Sequence, residues 1–88
     1  MDYLIFTFPN CDQCEELKTN LSNRGIEYQE YDLTKKESKM KIREFLGVIH
    51  RDQTGAIILP ALIIQEKGQV QKVVNSVEDL ESWWSSKD

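Results

Sequence analysis

Two cysteines three positions apart, Cys11 and Cys14, stand where an extended apolar pattern gives way to a helical one. The segment 2–8 is rich in aromatic and β-branched residues and ends at Pro9-Asn10, which is typical of a buried strand followed by a turn. From Cys11 onward the apolar residues recur at helical spacing as far as Leu21. The sequence therefore predicts a strand–turn–helix unit with both cysteines at the start of its helix.

The next elements continue this alternation. Asn10 is the predicted N-cap of the first helix, and Gly25 is its predicted end. A second strand is predicted over 26–33, where apolar and polar residues alternate. Thr34-Lys35-Lys36-Glu37 has the spacing of a capping box, so a second helix is expected to begin there and to end at Gly47.

The C-terminal half predicts a hairpin and a last helix. Pro60 interrupts an apolar run over 57–64, and since proline donates no hydrogen bond to a sheet, a strand is expected to begin after it. In order, the elements predicted here are a polar loop over 48–56, a strand over 61–65, a turn over 66–68, a strand over 69–74, a helix capped by Ser76-Val77-Glu78-Asp79, and a fraying tail over 85–88.

This order of elements predicts an α/β fold built as β-α-β-α-β-β-α. Two strands joined through a helix are expected to lie parallel, and the hairpin adds antiparallel strands to the same sheet. Helices on both faces would bury the apolar run over 57–64. With 88 residues, the chain is expected to form a single domain over 1–88.

Charge and hydropathy narrow the class of protein. A net charge of −4 argues against nucleic-acid binding, which requires clustered Lys and Arg. No stretch approaches the about 20 apolar residues of a membrane span, and the N-terminus lacks the basic region of a signal peptide. We therefore expect a cytoplasmic protein, with neither nucleic acid nor membrane as a partner. Because thiols stay reduced in that compartment, the two cysteines indicate chemistry.

The position of the cysteines assigns them different tasks. Cys11 in the first helical turn would be stabilised as a thiolate by unpaired N–H groups and the helix dipole. Cys14, one turn deeper, suits a thiol that resolves a mixed disulfide. The carboxylate of Asp12 is expected to raise the pKa of Cys11 and make the pair more reducing, partly offset by Lys18 on the face of Cys14. Alternatively, Asp12 points into solvent and only stabilises the helix start.

Two structural explanations compete with this chemistry. A closed metal site needs about four protein ligands, whereas the chain has two cysteines and one histidine, His50, in a distant loop. We therefore expect no metal or organic cofactor within the chain. The cysteines could instead be buried apolar residues, but their place between strand and helix favours a redox pair.

Together these features resemble the glutaredoxins of the thioredoxin superfamily, and the resemblance spans nearly the whole chain. It implies a thioredoxin-like fold in which Cys11 attacks and Cys14 resolves. It further implies that Pro60 is a cis-proline facing the disulfide, and that the backbone of Leu59 pairs with substrate like an extra strand. At the last helix, the backbone N–H groups of Ser76 and Val77 would offer a site for a carboxylate.

The chain departs from the glutaredoxin pattern at several positions. Phe8 stands where the family usually has a lysine that binds glutathione, and Asn75-Ser76 replaces a usual Gly-Gly pair. The segment from Phe8 to Cys14 is also similar to the opening of arsenate-reductase-like proteins. Those proteins place an arginine before the cis-proline, where this chain has Leu59, so that only Arg51 could reach the site.

The sequence thus predicts a monomeric dithiol–disulfide oxidoreductase that acts on disulfides of proteins or small molecules. Glutathione or a thioredoxin-type reductase would supply its electrons. Two alternatives stay open: a non-catalytic redox-sensing or interaction module on the same scaffold, and a truncated arsenate-reductase-like protein. An enzyme turns over with added reductant, whereas a sensor reacts once and changes its binding.

Overall fold

The computed structural model describes residues 1–86 and shows a four-stranded sheet with three helices. In chain order the elements are β1 (Asp2–Thr7), α1 (Asp12–Asn23), β2 (Gln29–Asp32), α2 (Lys36–Ile42), a short 3₁₀ turn (Arg43–Phe45), β3 (Ala61–Glu66), β4 (Gln69–Val74) and α3 (Val77–Ser86). This is the predicted order β-α-β-α-β-β-α. Within the described residues, no helix is long and apolar enough to cross a membrane.

The strands lie in the order β2-β1-β3-β4. β1 pairs in parallel with β2, as expected for two strands joined through a helix, and antiparallel with β3, where Phe6 faces Ala61. β3 and β4 form an antiparallel hairpin turned by Lys67 and Gly68, both at positive φ. The predicted mixed sheet is therefore confirmed.

Each face of the sheet carries its own core. Successive side chains of a strand point to opposite faces, so β1 sends Phe6 to one core and Ile5 to the other. Helix α2 and the 3₁₀ turn cover one core, formed by Leu4, Phe6, Ile42, Phe45, Ile49, Ala61, Ile63 and Val73. Helices α1 and α3 cover the second, formed by Ile5, Leu17, Leu21, Leu62, Ile64, Val74 and Leu80. The expected helices on both faces are confirmed.

The end of α1 explains why β2 is shorter than predicted. Gly25, at φ +72°, donates its N–H to Ser22, and the N–H of Ile26 returns to Leu21, which is the Schellman arrangement at a helix end. The predicted end at Gly25 is thus confirmed. Ile26 is committed to that helix end and packs in the α1/α3 core, so the strand begins at Gln29 rather than at residue 26.

Two predicted N-caps are wrong. Asn10 instead forms the turn before α1, at φ +60°, and Cys11 is the N-cap residue. At α2 the hydroxyl and N–H of Thr34 both bind the carboxylate of Asp32, and the N-cap is Lys35, without a side-chain hydrogen bond. A nearby aspartate therefore replaces the capping box that the spacing predicted. The second helix also gives way to a 3₁₀ turn after Ile42.

The last helix begins as predicted. Ser76 accepts a hydrogen bond from the N–H of Asp79 at 3.1 Å, and Asp79 accepts one from the N–H of Asn75 at 3.3 Å. Ser85 and Ser86, which were expected to fray, belong to α3. The rest of the predicted fraying tail, positions 87–88, lies outside the described residues.

Candidate functional site

Cys11 and Cys14 lie at the start of α1 and are joined as a disulfide. Their Cα atoms are 5.2 Å apart, and the backbone N–H of Cys14 donates a 3.1 Å hydrogen bond to the Sγ atom of Cys11. Asn10 turns the chain from β1 into α1 in the left-handed region, which asparagine adopts more readily than most residues. The turn thus places the Cys11 sulfur at the N-terminal end of the helix.

The two sulfurs differ in their access to solvent. Cys11 is half-buried, whereas Cys14 is only 1% exposed on the core side of α1, together with Leu17 and Leu21. Asp12, between the cysteines, is exposed in the first turn of the helix. A disulfide partner therefore has access to Cys11 before it has access to Cys14.

The pairing register brings the other candidate residues to the same edge of the sheet. Thr7, the last residue of β1, is paired with the last residue of β2, while β3 begins opposite Phe6. The end of β4 pairs with the second residue of β3, so the segments 59–60 and 75–77 flank this edge. The disulfide, Leu59-Pro60 and Ser76-Val77 therefore share the carboxyl end of β1.

The Leu59–Pro60 peptide bond is cis, as predicted. Pro60 is fully buried and Leu59 is half-buried. Residues 61–64 follow Pro60 into the sheet and are completely buried. The core therefore fixes the position of the Leu59-Pro60 segment.

Acidic groups dominate the start of α3. The hydroxyl of Ser76 is occupied by the N–H of Asp79, and both Glu78 and Asp79 lie in the first helical turn. Ser76 and Val77 are half-buried. An incoming carboxylate would meet two negative charges here, which oppose the attraction of the helix dipole.

Lys18, which was expected to offset Asp12 in part, is paired with two other carboxylates. Its Nζ atom lies 3.0 Å from carboxylate oxygens of Glu15 and Glu30, and Glu30 also accepts a 2.9 Å hydrogen bond from the buried hydroxyl of Thr7. Burial works to lower the pKa of Lys18, but the hydrogen bonds and charges of Glu30 and Glu15 outweigh it and raise that pKa. Lys18 is thus a charged anchor between α1 and β2.

The loop before Pro60 makes one contact that the sequence did not predict, between His50 and Asn75. Arg51 donates to the carbonyl of Gly55 at 2.9 Å and is committed to the loop itself. His50, expected to be only an exposed loop residue, is exposed but is hydrogen-bonded through Nδ1 to Oδ1 of Asn75. The two residues are 25 positions apart, and no local spacing signals such a contact.

No group of three or more His, Cys, Asp or Glu side chains able to hold a metal ion occurs within residues 1–86. The described part of the site consists of a disulfide, backbone groups at the sheet edge and exposed carboxylates. What this arrangement can do chemically is exchange of disulfide bonds.

Comparison with known proteins gives the class to which this arrangement belongs. The glutaredoxin family model matches residues 4–68, which is more than half of the chain, so the chain belongs to the glutaredoxin family. The match ends before β4, and Asn75, Ser76 and Val77 therefore lie beyond it. No curated protein sequence matches the chain.

Solved structures show the same fold. The solution structure of a glutaredoxin from Brucella melitensis is 23% identical, with a TM-score of 0.57 over 98% of this chain and 80% of that one. A crystal structure of a thioredoxin-like protein is 20% identical, with a TM-score of 0.62 over 92% and 97%. An arsenate reductase related protein from Brucella melitensis is 19% identical, with a TM-score of 0.59 over 96% and 95%.

These similarities agree with the predicted thioredoxin-like α/β fold. The structural matches are too distant in sequence to carry an activity to this chain. Membership of the glutaredoxin family, together with the Cys11–Cys14 pair, supports a thiol oxidoreductase in general terms.

Proposed function

We propose that the protein is a dithiol–disulfide oxidoreductase in which Cys11 attacks and Cys14 resolves. The observation that carries this proposal is the difference between the two sulfurs. Cys11 is half-buried at the start of α1 and accepts a hydrogen bond from the N–H of Cys14, whereas Cys14 is 1% exposed. A thiolate is favoured at the first position, and the second is shielded from solvent.

The cycle consists of two exchange steps. The Cys11 thiolate attacks a substrate disulfide, forms a mixed disulfide and releases the first substrate thiolate. The Cys14 thiolate then attacks the Cys11 sulfur, closes the Cys11–Cys14 disulfide and releases the second substrate thiolate. Two protein thiols are oxidised and one substrate disulfide is reduced, so a thiol or dithiol reductant must restore the pair.

The substrates we propose are disulfides of proteins or of small molecules. The backbone of Leu59, next to the buried Pro60, lies at the site edge and would pair with an extended substrate. Ser76 and Val77 would offer backbone N–H groups to a substrate carboxylate, against the opposing charges of Glu78 and Asp79. Phe8, three positions before Cys11, is exposed and would offer a substrate an apolar contact rather than a positive charge.

Glutaredoxins generally use glutathione and disulfide substrates, and we propose glutathione or a thioredoxin-type reductase as the electron source. We further propose a single-domain monomer without a metal or organic cofactor of its own, and with neither nucleic acid nor membrane as a partner. Glutaredoxins are typically cytoplasmic, and we propose the same compartment here. The net charge of −4 supports the exclusion of nucleic acid.

A pair of coupled assays tests the function and identifies the reductant. One couples reduction of a model disulfide to glutathione and glutathione reductase, and the other couples it to thioredoxin reductase. Sustained NADPH oxidation that depends on the protein in either assay supports an oxidoreductase. A single stoichiometric reaction without turnover in both would instead indicate the redox-sensing module.

A further inference from the structure

The side chain of Asn75, which follows β4, links the segment 58–60 to His50 in the preceding loop. Its Nδ2 atom donates to the carbonyl of Ile58 at 3.1 Å and to the carbonyl of Pro60 at 3.0 Å. Its Oδ1 atom is hydrogen-bonded to Nδ1 of His50. One amide group between β4 and α3 thus holds the segment that contains Leu59, 15 to 17 positions earlier in the chain.

Hydrogen-bond chemistry fixes the orientation of this amide and of its histidine partner. Two backbone carbonyls can only accept, so the group that faces them is the NH₂ group of Asn75, and both of its hydrogens are used. The remaining Oδ1 atom can only accept. His50 must therefore donate from Nδ1, and in its neutral form its free nitrogen is Nε2.

The backbone of Leu59 lies between the two carbonyls that Asn75 holds. The N–H of Ile58 also donates to the carbonyl of His50 at 3.1 Å, which ties the same segment from the loop side. No hydrogen bond to the backbone N–H or C=O of Leu59 is found within residues 1–86. Leu59, whose backbone groups are unpaired within the described residues, thus lies between Ile58 and Pro60, whose backbone carbonyls are held by Asn75.

We propose that Asn75 is a positioning residue that, supported by His50, holds the backbone of Leu59 in place to pair with an extended peptide carrying a disulfide. This inference rests on the proposed function and adds to it the substrate class for which the edge is built. A peptide supplies N–H and C=O groups for pairing, whereas a small disulfide without peptide groups does not.

The sequence position of Asn75 explains why this contact belongs to this chain. In the glutaredoxin pattern the corresponding pair is usually Gly-Gly, which has no side chain to reach Ile58 or Pro60. Here an asparagine that follows β4 supplies two donors to the segment before β3. A fixed edge loses less conformational freedom when a partner pairs with it, and this increases affinity.

A comparison of two disulfide substrates tests the inference. The pre-reduced protein is mixed with an excess of a disulfide-linked peptide or of bis(2-hydroxyethyl) disulfide, and single-turnover rates are measured against substrate concentration. Asn75→Asp keeps the size of the side chain but removes both donors. We expect the peptide concentration at half-saturation to rise about tenfold, equivalent to about 1.4 kcal/mol, and the preference for peptide over small disulfide to fall by the same factor.

Asn23→Asp is the matched control, because it makes the same chemical change at the exposed end of α1. It should leave the preference for peptide unchanged. His50→Ala removes the support of Asn75 at an exposed position and should reduce the preference about threefold. If Asn75→Asp does not fold, the result for His50→Ala decides.

Nitrogen NMR of the imidazole provides a readout that does not depend on activity. We expect neutral His50 to carry its proton on Nδ1, whereas an unconstrained histidine favours Nε2. A proton on Nε2 of His50, or an unchanged peptide preference in the variants, would overturn this inference and leave the proposed function standing. A wild-type protein that reduces neither substrate would contradict the proposed function, and with it the substrate role of Asn75.

Discussion

The backbone N–H of Cys14 points at the Sγ atom of Cys11 from 3.1 Å away. In the reduced protein this donor would stabilise a thiolate on Cys11, because it adds a hydrogen bond to the favourable potential at the start of α1. In the proposed cycle, Cys14 would therefore contribute its backbone N–H to the activation of Cys11 and its side chain to resolution.

Differential access predicts the order in which the thiols react. With limiting iodoacetamide, the reduced protein should be labelled first at Cys11, because that residue is half-buried and Cys14 is 1% exposed. Peptide mapping by mass spectrometry reports the two sites separately. Preferential labelling of Cys14 would reverse the proposed roles.

Substitution of Asp12 tests whether its carboxylate tunes the redox pair. Asp12→Asn should shift the reduction potential by about 10–30 mV in the oxidising direction, on a scale where 30 mV is about 1.4 kcal/mol, because a negative charge beside the Cys11 thiolate is removed. Redox titration against a glutathione buffer measures the shift. Glu16→Gln, also exposed on α1, is the control. Equal potentials for wild type and Asp12→Asn would leave Asp12 with a role in helix stability only.

The cap of α3 predicts a local loss of stability. Ser76→Ala removes the acceptor for the N–H of Asp79, so the free energy of unfolding should fall by about 1 kcal/mol. Ser82→Ala, at an exposed position inside the same helix, should change it by less than about 0.5 kcal/mol. Urea denaturation of both variants measures the difference. Equal losses would mean that Ser76 does not act as a cap.

The loop before Pro60 should loosen at acid pH. A hydrogen bond from the Thr54 hydroxyl, followed by those from the N–H groups of Ala56 and Thr54, lowers the pKa of Asp52 below its usual value of 3.8. These bonds favour the charged form. The stability that these hydrogen bonds add to the loop is therefore present at pH values above the ordinary carboxyl pKa. It is lost as the pH falls through the lowered pKa of Asp52.

Amide chemical shifts of Thr54 and Ala56 follow this transition. Their pH titration should have a midpoint below 3.8, and Asp52→Asn should abolish it. A midpoint at or above 3.8 would mean that the hydrogen bonds to Asp52 do not favour its charged form.

The elements and the edge of the sheet could be predicted because they depend on local patterns. Helical spacing after Cys11, the glycine at position 25 and the proline at position 60 each restrict a short stretch of backbone. Parallel pairing through a helix then follows from chirality. These rules predict the cysteines at the start of the first helix and a strand that begins after Pro60, whereas the position of Pro60 facing the disulfide was implied by the resemblance to glutaredoxins.

Competition between nearby polar groups could not be predicted in this way. Thr34 has the spacing of an N-cap residue, but its hydroxyl donates to Asp32 instead. Lys18 lies near several carboxylates in the sequence and pairs with those of Glu15 and Glu30. The contact between His50 and Asn75 depends on where the loop before Pro60 lies relative to the end of β4. Such contacts depend on tertiary structure, which periodicity does not report.

Trapping of the mixed disulfide tests the central claim most directly. A reduced Cys14→Ser variant, mixed with a disulfide-linked peptide, should accumulate a covalent adduct on Cys11 that intact-mass spectrometry detects. A reduced Cys11→Ser variant should form little adduct, because Cys14 is buried. An adduct that forms on Cys14 as readily as on Cys11, or on neither, would contradict attack by Cys11 and resolution by Cys14.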